Sequence, residues 1–187
     1  MSLIEIRWHG RGGQGAWTAS NILAMAAMYD GKRVQSFPAF GPERSGAPVT
    51  AFTRISDGEI EVHSMIYSPD IVVVLDPTLL TTVNVVEGLK KGGYIVVNYS
   101  GDPGKLYELL NIKPGEYRVY VTPATELALE VLGRAITNTA MIGALLKAKQ
   151  LVSWSSLERA IRERFSGKIA DLNIKLVKLA FEKAKEV

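Results

Sequence analysis

The chain has 187 residues, 47% of them hydrophobic, which lies within the size of one domain and is apolar enough to close a core. Its 22 Lys and Arg stand against 19 Asp and Glu for a net charge of +3, and the basic residues are dispersed, which argues against a nucleic-acid-binding surface. No cysteine is present, so disulfides, thiolate nucleophiles and cysteine-ligated iron–sulfur clusters are excluded from this chain.

In chain order, Leu3 to Trp8 reads as a strand, and His9-Gly10-Arg11-Gly12-Gly13-Gln14-Gly15 turns it into a helix over Gln14 to Tyr29. Ala16, Ala19, Leu23 and Ala26 fall on one face of that helix, small side chains that let it lie close to a sheet. Lys32 to Phe37 is a second strand, followed by a Gly/Pro-rich loop, Pro38 to Pro48. Val49 to Ile55 and Glu59 to His63 flank Asp57-Gly58, and both of those turn residues tolerate positive φ, so the spacing predicts a hairpin there.

Ile71 to Leu75 is a continuous apolar run, as a strand buried on both faces requires. Asp76 and Pro77 suit the N-cap and first position of a helix, and the pattern predicts that helix over Thr81 to Lys91, stopped by Gly92-Gly93. Tyr94 to Asn98 and Tyr117 to Val121 repeat the buried-strand pattern, and Thr122-Pro123 caps a helix running to about Leu132. From Asn138 the period is helical only: Met141, Ala144, Leu145 and Ala148 share one face, and Ser155 with Glu158 makes a capping box. A last helix buries Leu172, Leu176 and Leu179 and shows Lys175, Lys178, Glu182 and Lys185 to solvent.

These elements predict an α/β fold: a three-layer, Rossmann-like mixed sheet, mostly parallel with an antiparallel hairpin, helices on both faces and a helical C-terminal segment. Residues 1–187 are read as a single domain, with the α/β core over about 3–135 and C-terminal helices over about 138–186. No apolar run approaches the length of a membrane span and no secretory n-region or h-region precedes the first strand, so the expected location is cytoplasmic.

The chemistry converges on the first turn. Gly10, Gly12 and Gly15 satisfy G-x-G-x-x-G between a strand and a helix, the context that gives this pattern meaning. Glycines admit close backbone approach, and the helix start aims unpaired N–H groups outward, so Gly10, Arg11, Gly12, Gly13, Gln14 and Gly15 are candidate phosphate ligands; the bland reading is a tight structural turn. A dinucleotide enzyme would also place an acid at the end of the second strand, and here that position reads Gln35-Ser36-Phe37-Pro38. The loop after it brings Glu43 and Arg44 to the same sheet edge if the strands run parallel, where Arg44 could fork onto a phosphate or carboxylate and Glu43 orient it; a surface ion pair is the alternative. His9 would sit at the mouth of this site, while Asp76, Asn98 and Thr122 end strands at the same edge and are simpler as caps. Asn138-Thr139 opens an apolar helix, with capping as the bland reading. The histidines, His9 and His63, lie in no zinc-like spacing, no triad or carboxylate pair stands out, and no residue is assigned to catalysis or to a metal.

Three stretches together, Arg7 to Gly15, the loop Phe37-Pro38-x-Phe40-Gly41-Pro42-Glu43-Arg44-x-Gly46-Ala47-Pro48, and Asn138-Thr139-x-Met141-x-Gly143-Ala144, resemble the gamma subunit of 2-oxoacid:ferredoxin oxidoreductases, in particular the pyruvate and 2-oxoisovalerate enzymes. The resemblance spans nearly the whole chain. It implies a cytoplasmic hetero-oligomer of anaerobic metabolism that decarboxylates a 2-oxoacid, most simply pyruvate, forms an acyl-CoA and reduces ferredoxin. It further implies alpha, beta and delta partner subunits, with thiamine diphosphate in alpha and beta and iron–sulfur clusters in beta and delta. The gamma chain would then close the active-site or coenzyme A side of the complex, carrying no cluster and no activity alone. The glycine turn makes coenzyme A contact physically reasonable, on Gly10 to Gly15, Glu43, Arg44 and Asn138; the other reading is that this turn braces the alpha subunit. Trp17, bulky among small neighbours in the first helix, departs from what that turn leads one to expect. The alternative is a self-sufficient nucleotide- or dinucleotide-binding protein.

Overall fold

The computed structural model describes residues 3–39 and 44–187. Seven strands form one sheet in the order β2-β3-β1-β4-β5-β6-β7. They are β1 (Ile4–Arg11), β2 (Arg33–Pro38), β3 (Pro48–Ser56), β4 (Ile71–Val74), β5 (Tyr94–Asn98), β6 (Arg118–Thr122) and β7 (Lys185–Glu186). β1, β4, β5 and β6 are mutually parallel neighbours. β3 runs antiparallel between β2 and β1, and β7 antiparallel beside β6. This is the mixed, mostly parallel α/β sheet that the strand patterns predict. No helix among the described residues is long and apolar enough to cross a membrane.

Alternation along β1 decides which side of the sheet receives what. Ile6 and Trp8 point into a core shared with α1 (Ala16–Tyr29), α4 (Asn138–Ala148), α5 (Trp154–Arg164) and α6 (Gly167–Lys183). Gly143 lets α4 and α6 touch, because a Cβ there would strike the Val177 carbonyl. The opposite face, with Val72, Val74, Ile95, Val97 and Val119, is covered by a thinner layer that includes Leu80, Val85, Leu89 and the helix α2 (Pro103–Leu110). α3 (Ala124–Leu132) packs with α6 on the first side.

Four expectations need correction. Segment 59–63 forms no strand across Asp57-Gly58; the antiparallel hairpin is β2–β3, joined through the proline-rich loop. The helix expected over Thr81 to Lys91 is a 3-10 turn, Pro77–Thr81, followed by irregular turns, because Gly88 takes φ +71 and lies against the Tyr67 carbonyl. α5 is capped by Ser153, whose hydroxyl accepts from the Ser156 N–H, two residues before the expected Ser155–Glu158 box. α3 is capped without a side chain at Pro123. α2 and β7 went unread in the sequence.

Candidate functional site

The chain leaves β1 toward β2 and β3 on one side, and β4 lies on the other, so the carboxyl ends of β1 and β4 flank the topological switch point of the sheet. In open α/β sheets this is where ligands bind. The turn after β1 and the cap after β4 meet here. Gln14 bridges them: its side-chain carbonyl accepts from the Arg11 N–H (2.7 Å) and its amide donates to Asp76 Oδ2 (2.7 Å). The Arg11 guanidinium donates to Thr78 Oγ1 (2.9 Å from Nη2) and to the Gly46 carbonyl (3.0 Å), and its Nε lies 3.3 Å from Asp76 Oδ2. Asp76 is therefore both the expected N-cap, accepting from the Thr78 N–H (2.9 Å), and the hub of this corner. Burial pushes its carboxyl pKa up, but hydrogen bonds from Thr78 and Gln14 and the charge on Arg11 outweigh that and hold it below the ordinary value.

The three glycines of the pattern do different things. Gly10 is the penultimate residue of β1 and faces Ala16 and Leu75. The Gly12 N–H donates to the Ala47 carbonyl (2.8 Å), and the Gly46 N–H donates back to the Gly12 carbonyl (3.1 Å), so a Cβ on Gly12 would strike the Arg44 carbonyl. Gly15, at φ +79, is the N-cap of α1 and would put its Cβ 2.6 Å from the Asn138 side-chain nitrogen. These contacts make Gly10, Gly12 and Gly15 packing glycines, and a side chain at Gly12 would collide with the chain itself. Gly13 is different. It takes φ +91, is exposed, and has open space where a Cβ would stand.

The first turn of α1 has no side-chain cap and no acidic residue. Its amide N–H groups therefore keep the polarity that attracts anions. Arg44 lies exposed in the segment clasped to Gly12, on the same edge as the turn, because β2 runs in the same direction as β1. Asn138 is buried at the start of α4 and accepts from the Thr139 N–H (2.8 Å), with its amide nitrogen against Gly15. The predicted residues Gly10 to Gly15, Arg44 and Asn138 are thus brought to one edge; Glu43 lies outside the described residues. Trp17 is half exposed on α1, clear of the sheet contact made by Ala16 and Ala19. Thr78 and the bridging role of Asp76 were missed, since the partners lie more than sixty positions apart in sequence.

His9 is not at the mouth of the site. It is 5% exposed, under the sheet edge, and its Nε2 accepts from Arg7 Nε (3.0 Å). Burial, and then the Arg7 charge, lower its pKa to about 3, so it is neutral at physiological pH. Arg7 in turn donates to the carbonyls of Val85 (3.1 Å) and Glu87 (2.5 Å), pinning the turns after β4 to β1. Asn98 donates to the Leu75 carbonyl and to Thr125 Oγ1 (2.8 Å), a structural tie between β4, β5 and α3. Among the described residues no cluster of three or more His, Asp or Glu could hold a metal ion.

A profile of the family described as pyruvate ferredoxin/flavodoxin oxidoreductase matches residues 5–183. The chain is 55% identical over 181 residues to the pyruvate/ketoisovalerate oxidoreductases common subunit gamma of Thermococcus kodakarensis, covering 97% of each chain. It is 51% identical to the pyruvate synthase subunit PorC of Methanocaldococcus jannaschii, covering 96% of each. The crystal structure of the pyruvate oxidoreductase subunit PORC of Thermotoga maritima superposes with TM-score 0.87 at 38% identity, over 99% of this chain and 98% of that one. The alternative of a self-sufficient nucleotide-binding protein finds no support in these likenesses, and the side chains of Arg11 and Gln14 are already bonded across the switch point where a dinucleotide would lie. The chain belongs to the pyruvate ferredoxin/flavodoxin oxidoreductase family and is a gamma, or PorC, subunit of such an enzyme.

Proposed function

We propose that in the assembled enzyme this subunit presents the Gly13 edge of its switch point to coenzyme A, and that the 2-oxoacid is pyruvate. The observation that carries the coenzyme A reading is the exposed Gly13 backbone and uncapped first turn of α1, beside Arg44 in the loop clasped to Gly12. Backbone N–H groups there suit a phosphate, and a guanidinium suits a second one by a two-pronged hydrogen bond. Gly12, Gly15, Gln14, Arg11 and Asn138 act by holding that edge in shape. Thiamine diphosphate and the iron–sulfur clusters belong to the alpha, beta and delta partner subunits, which pass electrons to ferredoxin. This chain, with no cysteine, offers no thiolate for a cluster.

The test compares Gly13→Ala with Gly31→Ala. Gly31 has φ +81 and equally open surroundings but lies at the far end of α1, so both changes carry the same backbone strain, about 1–2 kcal/mol. In the reassembled enzyme Gly13→Ala should raise the KM for coenzyme A, whereas Gly31→Ala should leave it unchanged at the same loss of Tm. Arg44→Lys keeps the charge and loses the fork, with an expected rise in that KM equivalent to about 1–2 kcal/mol. Wild-type coenzyme A kinetics in both Gly13→Ala and Arg44→Lys would refute the contact. A strong preference of the wild-type complex for 2-oxoisovalerate over pyruvate would overturn the substrate assignment.

A further inference from the structure

We propose that a second cleft, at the carboxyl ends of β5 and β6, binds a small organic anion with an apolar body, its carboxylate or other acidic group met by Lys183 and Lys185. The cleft encloses about 260 Å³ between the segment Tyr99 to Gly101, the start of α2 at Pro103, the end of β6 at Val121 and Pro123, and the two lysines. It lies on the strand edge where open α/β sheets bind ligands, but at the opposite end of the parallel block from the Gly13 turn, so it shares no residue with that site.

Its walls and its charges come from different elements and divide the labour. Val121, Pro103 and Pro123 are apolar and offer no hydrogen-bond donor from their side chains or, for the prolines, from their nitrogens. The Tyr99 ring is fixed over Gly101, whose Cβ, if present, would stand 2.6 Å from the tyrosine oxygen, and its hydroxyl donates to the Asp102 carbonyl (3.2 Å). That commits the phenol to the protein and leaves the ring as wall.

Charge enters from the other side. Lys183 ends α6 and Lys185 lies in β7, in register with Val121, so antiparallel pairing sets Lys185 and Val121 on the same side of the sheet. Neither ammonium group has an ion pair or side-chain hydrogen bond among the described residues. Three acids in the flanking segments are engaged elsewhere: Glu126 accepts from Ser100 Oγ (2.7 Å), Asp102 caps α2 through the Lys105 N–H (3.0 Å), and Glu186 pairs with Arg118 (2.9 Å). A volume just under the roughly 300 Å³ at which drug-sized sites begin suits a ligand smaller than a nucleotide. An apolar slot lined also by two lysines therefore selects an aryl or alkyl acid.

The experiment titrates the full chain with 3-phenylpropionate, with its methyl ester and with inorganic phosphate, following backbone amide signals. The acid should shift the amides of Tyr99, Ser100 and Val121, and Lys183→Gln/Lys185→Gln should weaken that binding about tenfold, the scale of one lost charged hydrogen bond. Both lysines are exposed, so the double variant should keep the wild-type Tm. Equal binding of the ester, equal shifts from phosphate, or a double variant that binds as well as wild type would each overturn the proposal, as would an acid that shifts nothing.

Discussion

His9 shows how burial converts a residue with catalytic reputation into a structural acceptor. Its ring must stay neutral to take the Arg7 hydrogen bond, and protonating it would set two cations side by side with little water to screen them. The folded-state pKa, about 3, lies below the ordinary 6.5, so between those values the unfolded chain binds the extra proton. Stability held through this pair is therefore fully present above pH 6.5 and lost as the pH falls toward 3. His9→Gln, which keeps an acceptor but cannot titrate, should flatten the dependence of Tm on pH across that window relative to wild type. Parallel slopes for the two proteins would show that His9 is not the group responsible. The presence of His9 beside the glycine turn was legible in the sequence; its direction was not, because alternation along β1 placed it opposite Ile6 and Trp8 only once the core side was known.

At the scale of elements, the corner between β1, α1 and α4 depends on close contact that a strand–turn–helix pattern cannot reveal. Gly15→Ala adds a Cβ against the Asn138 amide and forces an L-residue to hold φ +79, and the two penalties together should cost about 2–4 kcal/mol. Asn138→Ala removes the steric part. A double-mutant cycle by chemical denaturation should show the pair destabilised by clearly less than the sum of the single changes. Strict additivity would mean that Asn138 yields freely and that strain in the turn is the whole effect.

The same scale explains what could and could not be read. Ile71 to Leu75 and Tyr94 to Asn98 were legible because continuous apolar runs need two covering layers. α2 was not, although Asp102-Pro103 repeats the Asp76-Pro77 start; Gly104 beside the proline gave the segment the look of a loop. The helical reading of Thr81 to Lys91 failed on Gly88, whose contact with the Tyr67 carbonyl is a long-range constraint. Likewise the glycine motif was legible as a strand-to-helix turn, and the structure places that turn at the switch point. The division of Gly12 and Gly15 to packing and Gly13 to the surface needed the partners Arg44 and Asn138 in place.

For the whole molecule, family membership and the lack of cysteine lead to a simple biochemical expectation: the purified chain alone should not oxidise pyruvate, and activity should return only on reconstitution with its partner subunits. Dye reduction by the single chain, free of other subunits, would contradict this.

The two covering layers of the sheet differ in kind. One is a stack of helices fitted side chain to side chain, with Gly143 seated on the Val177 backbone. Parts of the other are fastened by two buried arginines, Arg7 and Arg54, that grip main-chain carbonyls: those of Val85 and Glu87 for Arg7, and more loosely those of Val62 (3.4 Å) and Met65 (3.5 Å) for Arg54. Every amino acid carries the same carbonyl, so a grip of this kind takes no account of which side chain the gripped residue bears. The exposed positions of those turns are accordingly free to drift in sequence, and it is the arginines beneath them, not the loops above, whose replacement the protein would feel.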